Sequence, residues 1–149
     1  MTTIVFVRHA MTDGSAGDAG LSTDGHALAV AVAATIAERD AYALYTSPLR
    51  RARETADHIA TALALDVVVD ARLREKTNWG DVEGESFDEF LARWPRSPSA
   101  APRLASFVDD MCARFPEATI IAVTHGGIVD DLLGGHEHWP HCGITELVN

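Results

Sequence analysis

Arg8 and His9 stand side by side directly behind the apolar run Thr3-Ile4-Val5-Phe6-Val7. An arginine can grip a phosphate through two parallel N–H bonds, and an imidazole beside it can attack phosphorus as a nucleophile. A second histidine, His125, follows the run Thr119 to Thr124 and precedes Gly126-Gly127. Between them, Ser47-Pro48-Leu49-Arg50-Arg51-Ala52-Arg53 puts three arginines in the first turns of an expected helix. A helix start offers free N–H groups and a positive dipole to an anion. At about 100° per residue, at most two of those arginines can reach a common point. Glu75, in Leu73-Arg74-Glu75, sets a carboxylate where a general acid could stand. A lone strand-end histidine is more often structural. Two of them, with arginines and a carboxylate also at strand ends, are better explained by convergence on one crevice.

Those positions require a particular frame. After the first strand, Asp13 to Gly20 is small and polar and reads as a loop. Ser22-Thr23-Asp24 can cap a helix, and Leu28, Val32 and Ile36 give it an apolar stripe up to about Arg39. Tyr42 to Thr46 is β-prone, and Ser47-Pro48 is expected to open a second helix to about Ala64, with proline in its first turn. Val67-Val68-Val69 reads as a third strand, and Phe87, Phe90, Leu91 and Trp94 as one amphipathic turn set ended by Pro95. Pro95 to Pro102 is a connector. Leu104, Phe107, Val108 and Met111 make another helical stripe closed by Pro116. Thr119 to Thr124, Ile128 to Leu133 and Ile144 to Val148 follow as strand, short helix and strand. Alternation of this kind predicts a three-layer α/β/α fold with a central, mostly parallel sheet of about five strands.

At 149 residues, 47% hydrophobic and 23% charged, the chain fits one globular domain, residues 1–149. No apolar stretch approaches ~18 residues, so no membrane span is expected. Met1 leads straight into a strand without a basic region and apolar stretch, so no signal peptide is read. Cys112 and Cys142 lie outside any pair motif and read as reduced thiols, giving a cytoplasmic placement. The net charge of −10 argues against a nucleic-acid or acidic-membrane surface. Lys76 is the sole lysine beside eleven arginines among the 12 basic residues, so cationic recognition here is almost entirely guanidinium.

Taken in order, five segments resemble the histidine phosphatase superfamily, the phosphoglycerate-mutase-like fold. They are Arg8-His9 with Thr12; Leu21-Ser22-Thr23-Asp24-Gly25; Ser47 to Ala52 with Thr55-Ala56; Leu73-Arg74-Glu75; and Val123-Thr124-His125-Gly126-Gly127. The resemblance implies a nucleophilic His9, a phosphate pocket of Arg8, Arg51 and His125, and Glu75 as proton donor; the Thr12 hydroxyl can add a further phosphate donor. By position in that motif the pocket arginine is Arg51, four residues after Ser47. The chain departs from the pattern at Ala10, where most members carry glycine. A second departure is Trp79-Gly80-Asp81-Val82-Glu83-Gly84, which has one extra residue and a displaced tryptophan. Asp81 and Glu83 are therefore alternative proton donors. The segments from His9 to Leu21 and from Gly84 to Thr119 are short beside the larger mutases, which suits an open phosphatase site.

The chemistry implied is hydrolysis of a phosphate monoester, or of a phosphohistidine protein, through a phosphohistidine on His9. It requires no metal or other cofactor. His125 would serve both the catalysis and the phosphate pocket, as a donor if protonated. The alternatives are a phosphoglycerate mutase and a weakly catalytic phospho-ligand binding module. A separate cluster, His136-Glu137-His138 with His141 and Cys142, has a composition suited to zinc or nickel. It is read instead as a polar loop near the crevice mouth. Asp130-Asp131 reads as a solvated helix face, and Trp79 and Trp94 as packing or rim residues.

Overall fold

Alternation of side chains along two strands accounts for the architecture. In a computed structural model describing residues 1–149, β1 (Thr3–Arg8) pairs in parallel with β4 (Thr119–Thr124), Arg8 lying opposite Thr124. Ile4 and Phe6 of β1, with Ile120 and Ala122 of β4, face one side of the sheet. Val5, Val7, Ile121 and Val123 face the other. Both faces are apolar, so both must be covered by helices. On the first side lie α4 (Ala101–Arg114), through Leu104, Phe107, Val108 and Met111, and α5 (Gly126–Leu133), through Ile128 and Val129. On the second lie α1 (Thr23–Ile36) and α2 (Arg50–Leu63), through Ala33, Ile36, Ala52, Ala56 and Ile59. With β2 (Ala43–Thr46), β3 (Val67–Val69) and β5 (Ile144–Val148), the strand order is β3-β2-β4-β1-β5. All pairs are parallel except β1–β5. The three-layer, mostly parallel sheet is the predicted one.

Two elements differ from their sequence reading in ways that matter for the site. The buried stripe of α1 is Gly25, Ala29, Ala33 and Ile36, not Leu28 and Val32, which are only half-buried. Small residues let this helix sit close to the chain. A Cβ at Gly25 would collide with the Met11 carbonyl oxygen, so glycine is needed there. The second helix starts at Arg50 rather than at Ser47-Pro48, because Ser47 is used elsewhere and its Oγ accepts from Leu49 N–H (3.2 Å). The Arg50 amide at its start donates to the Asp18 carboxylate (2.6 Å). That helix start thus meets an internal anion, and its phosphate-seeking group is a side chain.

After β3, a single 3-10 turn (Ala71–Leu73) leads to Glu75. Between Gly84 and α4 lies one short helix, α3 (Phe87–Arg93), with a complete capping box from Ser86 and Glu89. A 3-10 turn at Trp94–Arg96 follows it.

Candidate active site

Pairing of β1 with β4 brings the two histidines together. The residues that follow opposed strand ends, His9 and His125, have ring centroids 5.2 Å apart, and His9 N–H donates to the Thr124 carbonyl (3.1 Å). This is the carboxyl edge of the central strands, where open α/β sheets place their ligands.

His9 is 7% exposed. Its Nδ1 lies 2.7 Å from the Ala10 carbonyl oxygen, which can only accept, so the ring proton resides on Nδ1. The lone pair is then on Nε2, which accepts from Arg51 Nε at 3.3 Å. Burial foremost, and then the charge of Arg51, holds His9 well below the usual imidazole range. The ring is therefore a neutral base and nucleophile with one tautomer fixed. Arg51 is itself oriented by Asn78, whose Oδ1 accepts from Nη1 (2.9 Å). The arginine implied by the motif, rather than Arg50 or Arg53, is the one at His9. Those two instead form ion pairs with Glu54 and Asp18.

His125 is fully buried beneath His9 and is not exposed on the cavity wall. Burial, Arg51 and His9 together depress its pKa well below the ordinary value. The condition under which His125 would act as a charged donor is therefore disfavoured, and the ring is held neutral. Its Nε2 lies 2.7 Å from Ser47 Oγ. Ser47 Oγ also accepts from Leu49 N–H, and its remaining lone pair and proton serve the contact with His125. His125 Nδ1 and Arg8 Nε are the two buried side-chain polar atoms lacking a protein partner. Of the two, Arg8 Nε is always a donor and belongs to a residue that lines the cavity, and buried donors are normally satisfied. Arg8 is anchored by its Nη1, which donates to the Trp139 carbonyl.

Glu75 is 6% exposed. Its Oε1 accepts from Lys76 N–H (2.9 Å) and its Oε2 from Gly127 N–H (3.0 Å), at the start of α5. Burial outweighs these bonds and the nearby Arg51, and raises the carboxyl above the usual range. Gly127 must lack a side chain, since a Cβ would stand 2.6 Å from Trp94 and 2.7 Å from Glu75. Arg103 holds this loop by donating to the Arg72 and Glu75 carbonyls (2.8 and 3.0 Å). Of the two alternative donors, Asp81 is bound to Arg74 (2.7 Å) and to Asn78 N–H (3.0 Å), which hold its carboxyl below the usual range. Glu83 is exposed.

Arg8, His9, Thr12, Arg51 and Glu75 line one cavity of about 630 Å³. Thr12 sits at its edge, where its pairing with Leu21 closes the Asp13–Gly20 loop. Four aromatic side chains form another wall: Trp79, Phe87, Phe90 and Trp94. The sequence marks Phe87, Phe90 and Trp94 as part of an amphipathic set and Trp79 and Trp94 as packing or rim residues, without showing that all four share one cavity. His141 was also missed. Its ring stands edge-on to His9 at 5.7 Å, whereas His136 stands edge-to-face with Trp139 at 5.1 Å. These histidines therefore do not converge as the metal-like cluster suggested. Asp130 and Asp131 are not a solvated pair either. Asp130 accepts from His136 N–H (2.8 Å), and Asp131 accepts from Ala100 N–H (2.9 Å) and faces Lys76 (3.7 Å).

A strand-end imidazole whose unprotonated nitrogen faces an arginine, with a buried carboxyl in the same cavity, suits phosphoryl transfer on a doubly wound sheet. Residues 4–147 match the histidine phosphatase superfamily (branch 1), and the chain belongs to that family. Among solved structures, the mycobacterial glucosyl-3-phosphoglycerate phosphatase in complex with VO3 superposes with a TM-score of 0.82 at 27% identity, covering 98% of this chain and 90% of that one. By sequence, the Mycobacterium tuberculosis glucosyl-3-phosphoglycerate phosphatase is 29% identical over 85% of this chain and 71% of its own length. A bifunctional protein of the same species is 33% identical over 83% of this chain, which spans only 41% of that relative.

Proposed function

We propose that residues 1–149 form one catalytic domain that hydrolyses phosphate monoesters of small molecules through a phosphohistidine on His9. The observation that carries this reading is the His9 ring. Its proton is committed to the Ala10 carbonyl, and its Nε2 opens onto Arg51 in the cavity that also holds Glu75. In the first step Nε2 donates its lone pair to phosphorus as the ester P–O bond breaks, and the departing oxygen takes the proton of the Glu75 carboxyl. Arg8, Arg51 and Thr12, which line the cavity, meet the charge on the equatorial oxygens, and neutral His125 packs against the His9 ring. In the second step water attacks phosphorus, gives its proton to the Glu75 carboxylate, and the N–P bond breaks to release phosphate. None of these roles requires a metal ligand. The two free thiols, Cys112 and Cys142, support a cytoplasmic location, and no helix is long and apolar enough to cross a membrane.

The test is rapid-quench turnover of a phosphorus-labelled monoester. A base-stable, acid-labile label on the protein is expected, lost in His9→Ala together with turnover. Retention of a tenth of the wild-type rate in His9→Ala would refute the covalent step. Faster dephosphorylation of a phosphohistidine protein than of any small ester would replace the substrate class.

A further inference from the structure

The cavity beside His9 has two chemically distinct halves. One holds Arg8 and Arg51, which form no ion pair within 4.0 Å with a carboxylate. The other is the aromatic wall. Trp79 meets Phe87 at 5.2 Å, Phe87 meets Phe90 at 6.1 Å and Phe90 meets Trp94 at 5.7 Å, a continuous chain of tilted and edge-to-face rings. Phe87 remains 50% exposed. Three cations beside this wall are neutralised by the protein. Arg74 is bound to Asp81 (2.7 Å), Arg93 to Glu85 (2.7 Å) and Lys76 to Asp131 (3.7 Å). Arg93 also donates to Thr77 and to the Asn78 carbonyl, and Lys76 lies over the Trp94 ring at 4.6 Å.

A leaving group seated there meets π faces and no spare positive charge. Entering carboxylate would lose its hydration without gaining a counter-ion. The surrounding chain, with its net charge of −10, adds to the penalty. An uncharged ring, by contrast, exchanges water for aromatic contact. The orientation is set by His9, because Nε2 opens on the Arg51 side and Arg51 lines this cavity. A neighbouring hollow shares Arg8, His9, Glu75 and Trp94, but it lacks Arg51 and is lined mainly by polar groups such as Lys76, Asp130 and Glu137.

We propose that this chain selects phosphate monoesters whose leaving group is an uncharged ring, stacked against Trp79, Phe87, Phe90 and Trp94, and rejects leaving groups that bear a carboxylate. The proposal rests on the phosphatase reading above and deepens it. It also separates this site from a phosphoglycerate mutase, whose substrate carries a carboxylate by its chemistry.

Non-hydrolysable phosphonates test the selection without any turnover, by calorimetry on the whole chain. Benzylphosphonate is expected to bind about tenfold tighter than methylphosphonate. Para-carboxybenzylphosphonate is expected to bind at least about tenfold weaker than benzylphosphonate. In Phe87→Ala and in Phe90→Ala the benzyl-to-methyl affinity ratio should fall severalfold, while Phe90→Tyr should keep it. Phe87 is half exposed, so its alanine variant reads the ratio even where Phe90→Ala fails to fold. Equal affinities for the benzyl and methyl ligands, or undiminished affinity for the carboxybenzyl ligand, would overturn the proposal. Because no ligand reacts, the ladder can stand while no phosphohistidine forms, which would refute the mechanism alone. It can also fail while phosphohistidine forms, which would refute the selection alone.

Discussion

Replacing Glu75 by glutamine removes a proton and little else, which makes it the sharpest probe of the mechanism. The two oxygens of Glu75 accept from Lys76 N–H and Gly127 N–H. Glutamine keeps one acceptor and turns an NH2 group toward the other backbone donor. One hydrogen bond is therefore lost, costing about 1–3 kcal/mol of stability for a buried unsatisfied group. Thermal melts must show the variant still folded at the assay temperature before its kinetics are read. Since burial raises the Glu75 carboxyl, a larger share of the enzyme carries the proton near neutrality than an exposed glutamate would. An alkyl phosphate leaves as a strongly basic alkoxide and needs that proton, so phosphoryl transfer should slow by about 10²–10⁴ in Glu75→Gln. A nitrophenyl phosphate leaves as a stabilised phenolate and should lose much less in the same step. Single-turnover quench separates formation of the phosphohistidine from its hydrolysis, where the same carboxylate activates water and both substrates should lose equally. Equal losses on both substrates in the first step would show that Glu75 only shapes the pocket. A variant indistinguishable from wild type on both would remove Glu75 from the reaction.

Arg51→Lys should cost about 10²–10³ in kcat/KM, because one ammonium cannot replace a fork that meets His9 Nε2 and Asn78 together; a loss below threefold would show that Arg51 is not a phosphate donor. Stability should fall with acidification between about pH 7 and pH 5. His9 and His125 have depressed folded pKa values, so their contribution is complete above the unfolded value near 6.5 and is lost as pH falls toward the folded ones. The slope approaches about 1.4 kcal/mol per pH unit for each proton taken up by the unfolded state. Glu75, raised by burial, has the opposite sign: its contribution is complete below the unfolded carboxylate value and is lost as pH rises through the folded one. Denaturant melts across this range should show the histidine slope, and a flat profile in wild type would contradict the buried neutral pair.

The frame was legible because its signals are local. Thr3 to Arg8 and Thr119 to Thr124 are apolar runs buried on both faces, and a run of that kind reads as a central strand without knowledge of its partner. The residues just past them, His9 and His125, inherit their place from the strand ends. Arg51 was distinguishable from Arg50 and Arg53 only through the motif, since three arginines within four residues look alike until a partner such as Asn78 fixes one of them. The start of α2 was misplaced because Pro48 suits a first helical turn, whereas the Ser47 hydroxyl is engaged by His125 and Leu49.

What stayed hidden depends on pairings between distant segments. His141 sits in a run of histidines that suggests metal binding by composition alone. It reaches His9 because β5 returns antiparallel on the far side of β1, with Cys142 N–H donating to the Arg8 carbonyl at 3.0 Å. That same register leaves Cys142 against the site, with burial pushing its thiol up to about 11, so it contributes shape and not charge. The aromatic wall is the more instructive case. Phe87, Phe90 and Trp94 recur at helical spacing, and such a stripe announces that one face of a helix leaves water. It does not say what covers that face. In α4 the equivalent stripe of Leu104, Phe107, Val108 and Met111 meets the sheet and becomes core. In α3 no residue is buried, and the rings turn toward Arg8, His9 and Arg51. Periodicity is blind to that distinction, because burial against a sheet and burial against a ligand impose the same pattern. It is resolved here by the neighbours: a stripe bordered by paired cations and facing two unpaired arginines is placed to hold the uncharged end of a molecule whose other end is a phosphate.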